Sequence, residues 1–465
     1  MWCATPWCGR SSRPMSDTKG VRVRLRRLKS LPWRDKVPPY AEAAIALLGL
    51  ALVSVFRWDG GWGLSPWHSA LGAFAAGGLA GYFLVSALRP GVRERRFALA
   101  LVLGAAALSR LAGMGSPYLG LWGLAASLGA LFCGSRFGIL ILIPLAAWGG
   151  PALGVGPTTV GLSTGLSLAA LVARVRKGRD LLLAGVISGG IGGAVAAFLY
   201  PHAGWMGILS AALSGPLVAI LSWALIPLVE RVLDRTSPLT LVELLDPSHP
   251  LLERMRREAP GTYYHSRNVS ALAEAAAKAI GADALLAAVG GLYHDIGKLF
   301  RPNFFVENQD GSNPHDQLSP SLSKVVLASH VKEGVRLARQ YGLKGDIIAF
   351  IATHHGTSVM RYFYEKGVAQ GLSEDDFRYT SPLPDTKETA IVMLADPLEA
   401  AARTARKEEL GELVEQVVEE RRRDGQLDHA PLTMADLAKV KHAFQKVLQG
   451  MVHQRVPDYP LFQGQ

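Results

Sequence analysis

Seven side chains in the second half of the chain could bind metal ions. Each lies in or beside an apolar stretch with helical spacing, such as "GGLYHDIGKLF" at 290–300. Burying an imidazole or a carboxylate without a partner is costly, so a group of them in apolar surroundings predicts a compensating cation. A set of imidazoles and carboxylates without thiolates suits Fe, Mn, Zn, Ni or Co rather than Ca²⁺ or Mg²⁺ alone. The candidate ligands are His265, His294, Asp295, His330, His354, His355 and Asp396.

Seven ligands are more than one ion normally takes from a protein. Two ions that share a bridging carboxylate would use all of them, and such a pair suits in-line attack on phosphorus. Cysteine offers no competing thiolate site, because Cys3 and Cys8 lie in a leader rich in Trp, Arg and Ser and Cys133 lies in an apolar run. The sequence therefore predicts a two-metal centre for phosphoryl chemistry.

The net charge of +11 is unevenly distributed along the chain. Residues 1–229 contain 21 Lys and Arg against 6 Asp and Glu, whereas residues 230–465 contain 28 against 32. The basic excess therefore belongs to the apolar half, which argues against binding of a nucleic-acid polymer. Ten of the twelve His lie in the second half, where the soluble chemistry is expected.

The second half has the composition of a soluble helical domain. "RNVSALAEAAAKAIGADALLAAVGGLYHDIGK" and "HVKEGVRLARQYGL" have apolar residues three and four positions apart, and "DIIAFIATHHG" has the same spacing up to Gly356. No strand pattern of useful length is present. Residues 301–323 are rich in Asn, Gly, Pro and Ser, which predicts a long loop of the kind that is often functional.

Apolar runs recur throughout the first half. Several reach the ~20 residues that a helix needs to cross the hydrocarbon core of a membrane. Gly185, Gly189 and Gly193 recur every four residues, a spacing that either lets a neighbouring helix approach closely or reflects a Gly-rich membrane composition. Eight membrane-spanning helices are predicted, at 40–57, 68–88, 97–112, 117–134, 137–153, 157–174, 181–200 and 205–229.

The loops between these runs alternate in charge. The N-terminal tail, "RPGVRERR", Arg136 and "RVRKGRD" are basic, whereas "DGGWGLSP", "GMGSP" and "GVGPTT" contain no Lys or Arg. Because cytoplasmic loops carry the Lys and Arg, both ends of the chain are expected in the cytoplasm. The predicted organisation is a basic tail at 1–38 with Met15 as an alternative start, a transmembrane domain at 39–229, a linker at 230–250 and a phosphohydrolase domain at 251–465.

The ordered set H…HD…H…HH…D resembles the pattern of HD-domain phosphohydrolases, in the extended form that holds two metals. The segments "HPLLERMRREAPGTYYHS", "YHDIGKLFRPNFFVENQ", "SHVKEGVRLAR" and "KETAIVMLADPLEAA" resemble the seven-transmembrane HD proteins, the PgpH-type cyclic-di-AMP phosphodiesterases. The resemblance covers roughly residues 68 to 460. It implies an all-α fold, in which a polytopic helical membrane bundle precedes a cytoplasmic, all-helical HD domain.

The resemblance also implies a role for each candidate residue. Asp295 would be catalytic as the carboxylate that bridges two divalent ions, Mn or Fe. Lys298, one helical turn later, is a second catalytic candidate whose ammonium would meet a substrate phosphate, and a solvated surface position is the alternative. His315 and Asp316 form a second HD dipeptide in the loop, where a substrate gate or turn structure is favoured over metal binding. One ion would bind His265, His294 and Asp396, and the other His330, His354 and His355.

The implied function is hydrolysis of cyclic di-AMP to the linear dinucleotide by a multi-pass enzyme of the cell membrane. The expected partners are that dinucleotide, the lipid bilayer and a second copy in a homodimer. The residues alone do not distinguish adenine from guanine. Two alternatives stay open: an HD phosphohydrolase of other nucleotides, and a membrane receptor or scaffold whose HD domain binds a nucleotide without turnover.

The chain departs from the family pattern in one respect. Members usually have a large extracytoplasmic sensor domain after the first span, whereas about ten residues separate the first two predicted spans here. Ligand sensing by such a domain is therefore not expected.

The HD-GYP branch, which cleaves cyclic di-GMP, should have a Gly-Tyr-Pro element after its His pair, and "HHGTSVMRYFYEKG" has none.

Overall fold

The computed structural model describes residues 92–368 and 370–453. Within these ranges the regular structure is helical, with seventeen α-helices and several short 3₁₀ turns. Extended backbone pairs there only at a single antiparallel bridge between Val359 and Arg378. The all-α prediction is confirmed. The first two predicted spans, the leader and the short segment between those spans lie outside the described residues.

The apolar half begins, within the described residues, with helix α1. Three stretches are long and apolar enough to cross a membrane, Val155–Val172, Gly178–Leu199 and Pro201–Leu233, with mean hydropathies of 1.4, 2.0 and 2.0. The predicted run at 137–153 is broken at Ile141 into two helices. The helices are α1 (Val92–Ala112), α2 (Trp122–Cys133), α3 (Ser135–Leu140), α4 (Leu142–Leu153), α5 (Val155–Val172), α6 (Gly178–Leu199) and α7 (Gly204–Leu233).

The glycine repeat of α6 lies against α7. A Cβ at Gly185 would lie 2.5 Å from the Cβ of Ala219, and one at Gly189 would overlap the carbonyl oxygen of Ala212. Gly215 of α7 faces Gly185 in the same way, with no room for a side chain. The spacing therefore reflects close helix packing rather than composition alone.

The second half folds as a helical domain around α15. Residues Ala390–Ala395 of this helix are fully buried in an apolar cluster that also contains residues of α10, α11 and α13, three of the helices that carry or directly precede candidate ligands. The predicted loop at 301–323 is a series of short 3₁₀ turns up to the start of α12. The helices are α8 (Pro238–Leu244), α9 (Pro250–Glu258), α10 (Pro260–Ala279), α11 (Ala284–Tyr293), α12 (Pro320–Gln340), α13 (Gly345–Thr353), α14 (Arg361–Val368), α15 (Lys387–Ala402), α16 (Leu410–Arg423) and α17 (Met434–His453).

The end of α7 is hydrogen-bonded to the start of α13. Asp234 ends α7 in the left-handed conformation, with φ of 55°, and its Oδ1 accepts the N–H of Gly345 at 3.0 Å. The N–H and the hydroxyl of Thr236 both donate to the carboxylate of Asp346, at 2.7 Å each. Because α13 ends at Thr353, one short helix connects this junction to the His354–His355 pair.

Candidate metal centre

The seven candidate ligands come from five helices and converge in the interior of the second half. His265 lies in α10, His330 in α12 and Asp396 in α15, whereas the two dipeptides follow the last turns of α11 and α13. Six of the side chains are buried, and that of His355 is 19% exposed. Their ligand atoms form two groups, each within 4.8 Å: His265, His294, Asp295 and Asp396, and separately His330, His354 and His355.

Glycines allow the helix that carries His294 and Asp295 to lie so close to its neighbours. A Cβ at Gly290 would overlap the ring of Phe350 in α13, and one at Gly291 would lie 2.9 Å from the backbone of Ser270 in α10. A Cβ at Gly297 would overlap the carbonyl oxygen of His330. The glycines of "GGLYHDIGK" are thus close-approach positions that bring α10, α12 and α13 together around the dipeptide.

Asp295 lies between the two groups and presents one carboxylate oxygen to each. Its Oδ2 lies 3.2 Å from Nε2 of His294 and 3.6 Å from Nε2 of His265. Its Oδ1 lies 3.5 Å from Nε2 of His330 and 3.6 Å from Nε2 of His354. This is the geometry of a carboxylate able to bridge two ions.

Four of the five imidazoles are oriented by a hydrogen bond of Nδ1, the ring nitrogen that points away from the other candidate ligands. Nδ1 lies within hydrogen-bond distance of a main-chain carbonyl oxygen in three of them. The distances are 2.8 Å from His294 to Gly291, 2.6 Å from His330 to Leu327 and 3.0 Å from His354 to Ile351. The fourth, His265, pairs through Nδ1 with a carboxylate, Oε2 of Glu399, at 2.5 Å. Metal-binding histidines typically use the outer nitrogen in this way, which leaves Nε2 to face the ion.

Two buried polar atoms in the centre have no hydrogen-bond partner. They are Nε2 of His294 and Oδ1 of Asp295, one from each side of the candidate site. Buried polar atoms are nearly always satisfied, so these two need a partner from outside the chain. A divalent cation on each side would supply it, and the donor set of five imidazoles and two carboxylates fits two such ions.

The protonation of the imidazoles differs between the two groups. Burial lowers the pKa of His330, His354 and His355, to about 3 for His354, so these rings are neutral and ready to bind a metal. Burial would also lower the pKa of His294, but the carboxylates of Asp295 and Asp396 outweigh it and raise that pKa to about 10. A metal ion in the group of His294 would therefore displace a proton.

Lys298 lies beside the centre rather than on a solvated surface. Its Nζ is 2.8 Å from Oδ2 of Asp295 and 2.7 Å from Oε1 of Glu307, and its side chain is 12% exposed. Burial would lower its pKa, but the two carboxylates hold the pKa above its usual range. Glu307 comes from the loop that follows α11 and also accepts the hydroxyl of Thr262 at 3.1 Å. The loop is therefore fastened to α10 beside the site.

His315 and Asp316 are separate from the metal centre. Asn313 caps a short 3₁₀ turn at this dipeptide, with its Oδ1 accepting the N–H of His315 at 3.1 Å. Nε2 of His315 lies 3.0 Å from the carbonyl oxygen of Phe304. These contacts support the turn-structure interpretation of this second HD dipeptide.

Sequence reasoning missed two residues that contact the candidate ligands. Glu399 holds His265, and the ring of Tyr379 stacks on that of His355 with centroids 4.2 Å apart. Glu399 follows Asp396 by three residues on a helix, a spacing that places both on one face and could have identified it. Tyr379 lies in an irregular segment and carries no comparable signal.

An all-helical domain with this ordered His and Asp set is an HD hydrolase domain. A family model described as "HD domain" matches residues 262–401, and one described as "7TM receptor with intracellular HD hydrolase" matches residues 66–237. The chain belongs to the PgpH-type family of seven-transmembrane HD proteins. The second match contains seven of the eight predicted spans, and the run at 40–57 precedes it.

Two curated relatives are cyclic-di-AMP phosphodiesterases named PgpH. The cyclic-di-AMP phosphodiesterase PgpH of Bacillus subtilis (strain 168) is 39% identical over 259 residues, which are 54% of this chain and 36% of that protein. PgpH of Listeria monocytogenes serotype 1/2a (strain 10403S) is 40% identical over 247 residues, 52% of this chain and 34% of that protein. The chain thus spans about a third of the length of these relatives.

A solved structure is also similar. The crystal structure of the L. monocytogenes PgpH HD domain in complex with cyclic-di-AMP is 40% identical and covers 44% of this chain and 99% of the solved chain, with a TM-score of 0.43.

Proposed function

We propose that this chain is a membrane-anchored, metal-dependent phosphodiesterase that hydrolyses cyclic di-AMP to the linear dinucleotide. The family membership supports an HD hydrolase, and the names of both PgpH relatives support this substrate. One structural observation carries the proposal: the two oxygens of Asp295 face two separate groups of ligands. A single-ion site would not need a carboxylate in that position.

The residues of the chain would hold two divalent ions, Mn or Fe. His265, His294 and Asp396 would hold one, His330, His354 and His355 the other, and Asp295 would bind both. When bound, such ions supply a nucleophile at neutral pH and stabilise the charge that develops on phosphoryl oxygens. The buried helices fix the ligands, so little reorganisation is needed when substrate enters.

Lys298 is proposed to meet a phosphate of the substrate. Its ammonium is buried and charged, and it lies beside the bridging carboxylate. A phosphate oxygen that approached it would compete with Oε1 of Glu307 for one of its donors. The loop that carries Glu307 would therefore respond to substrate binding.

The apolar half is proposed to anchor the enzyme in the cell membrane as a multi-pass bundle. Its apolar helices and the match to the seven-transmembrane family support a membrane protein. The alternation of loop charge supports a cytoplasmic HD domain, where a nucleotide messenger would be accessible. The domain boundaries at 39–229 and 251–465 and a homodimeric assembly are part of the same proposal.

Hydrolysis by the full-length chain in detergent or lipid tests the proposal. Cyclic di-AMP and cyclic di-GMP would be incubated with the protein and Mn²⁺ or Fe²⁺, and the linear products separated by chromatography. Cyclic di-AMP should be cleaved by the wild type and not by Asp295→Ala. Binding of cyclic di-AMP without turnover would favour the receptor or scaffold alternative, and cleavage of other nucleotides alone would favour a different HD phosphohydrolase.

A further inference from the structure

The candidate imidazoles differ in the hydrogen-bond partner of Nδ1. Three of them direct Nδ1 at main-chain carbonyl oxygens, whereas His265 directs it at a carboxylate, that of Glu399. Glu399 is buried and lies one helical turn after Asp396 on α15. His265 is consequently held between two acidic side chains, with Nε2 3.0 Å from Oδ1 of Asp396 and Nδ1 2.5 Å from Oε2 of Glu399.

Glu399 is itself held away from the metal centre. Oε1 accepts the side-chain amide of Asn268 at 2.8 Å, and Oε2 lies 2.9 Å from a terminal nitrogen of Arg403. Nε of Arg403 lies 3.1 Å from Oε2 and 3.3 Å from Oε1. These contacts leave Glu399 outside the two groups of converging ligand atoms, so it is a partner of a ligand rather than an eighth ligand.

We propose that Glu399 is a positioning residue that fixes the orientation and raises the basicity of His265, and so strengthens one of the two metal sites selectively. The inference rests on the two-ion centre proposed above. A carboxylate that accepts the Nδ1–H of a metal-binding imidazole fixes the ring orientation and the tautomer in which Nε2 carries the lone pair, and it makes that nitrogen a stronger donor to a metal ion. The other site has no such carboxylate among the bonds of His330 and His354, so the effect should be confined to the ion that His265 binds.

Metal occupancy, rather than activity, tests the proposal. The full-length wild type and Glu399→Gln, each stripped of metal, would be dialysed against increasing Mn²⁺, and bound Mn quantified by mass spectrometry. The wild type should bind two ions. Glu399→Gln should bind one ion as the wild type does and the other about 10- to 100-fold more weakly.

The control is Glu258→Gln. Glu258 also pairs with an arginine four residues away, with Oε2 2.9 Å from Nε of Arg254, but it lies at the surface. Its removal should leave both dissociation constants unchanged. Should Glu399→Gln fail to fold, Glu399→Asp keeps the charge and shortens the side chain by one methylene, and it should weaken the same single site.

Three outcomes would overturn the inference. Glu399→Gln with both dissociation constants within twofold of the wild type would exclude a role in metal binding. Equal weakening of both sites, together with a lower unfolding temperature of the metal-free protein, would make Glu399 merely structural. A wild type that binds fewer than two ions would contradict the proposed two-ion centre and therefore this inference as well. That failure is distinguishable from the other two because the wild type alone shows it.

Discussion

The ammonium of Lys298 lies 2.8 Å from Oδ2 of Asp295, the same oxygen that faces His265 and His294. A cation of the chain therefore already occupies one side of the carboxylate that we propose as the bridge. The chain balances this buried lysine with a second acid, Glu307, at 2.7 Å. The stability of the metal-free centre should depend on this arrangement.

Lys298→Met should destabilise the metal-free protein by about 3 to 5 kcal/mol, because it leaves Glu307 buried without its counter-charge and removes one of the cations that face Asp295. Mn²⁺ should restore part of the loss, since an ion would compensate Asp295 but not Glu307. Thermal unfolding with and without Mn²⁺ measures both effects. Lys441→Met is the control, because Lys441 pairs with the exposed Glu415 and its loss should lower stability by about 1 kcal/mol or less. Equal stability of the two variants would contradict the prediction.

Metal binding should release protons at neutral pH. The pKa of His294 is raised to about 10 by Asp295 and Asp396, so this ring carries a proton near pH 7 that must leave before Nε2 can bind an ion. Apparent affinity for the ion in this group should accordingly rise with pH and fall as pH is lowered. Addition of Mn²⁺ to the metal-free protein in weak buffer, followed with an indicator dye, measures the release. A release as large from His294→Ala as from the wild type would show that the proton comes from elsewhere.

The junction between α7 and α13 should contribute to the stability of the second half. Asp346→Ala removes the acceptor for both bonds from Thr236 and should cost about 1 to 3 kcal/mol. Hydrogen exchange at 345–353 should increase in this variant. The matched control is Asp246→Ala, since Asp246 also accepts an N–H and a hydroxyl, both from Ser248, at 2.8 and 2.7 Å on the surface. The same small effect from both variants would mean that the junction adds nothing.

The proposed topology rests on loop charge and can be tested directly. Reporter fusions after Gly156 should report the outside and those after Lys177 the cytoplasm, because basic loops stay on the cytoplasmic side. The helix between them, Val155–Val172, is one of the three long and apolar enough to span the membrane. A cytoplasmic signal at both positions would contradict the proposed crossing.

The convergence of the seven candidate side chains could be predicted from the sequence because their chemistry is carried by residue type. Imidazoles and carboxylates in apolar helices need a partner wherever the helices lie, so all seven could be named without a structure. Which oxygen of Asp295 faces which group could not be predicted from residue type, because it depends on how α10, α11, α12 and α13 pack. The glycines at 290, 291 and 297 permit that packing, but their neighbours are distant in the chain.

Some features depended on contacts that no local pattern encodes. Lys298 pairs with Glu307, which comes from the predicted loop at 301–323, and the composition of that loop did not indicate this ion pair. The predicted linker at 230–250 is partly helical, since α7 continues to Leu233 and α8 covers Pro238–Leu244. The charged residues Glu230 and Arg231 end the apolar pattern, so the predicted span stopped at 229. The helix itself continues to Leu233, because charged residues do not end a helix.

Turnover of cyclic di-AMP as a function of metal occupancy tests whether the enzyme needs two ions bridged by Asp295. The metal-free, full-length protein would be loaded with Mn²⁺ in steps, with bound metal and linear product measured on the same samples. We expect turnover to appear only as occupancy rises from one to two ions per chain. We expect Asp295→Ala to bind at most one ion and to have no turnover. Full turnover with one ion or none, or undiminished turnover by Asp295→Ala, would contradict a two-ion centre bridged by Asp295.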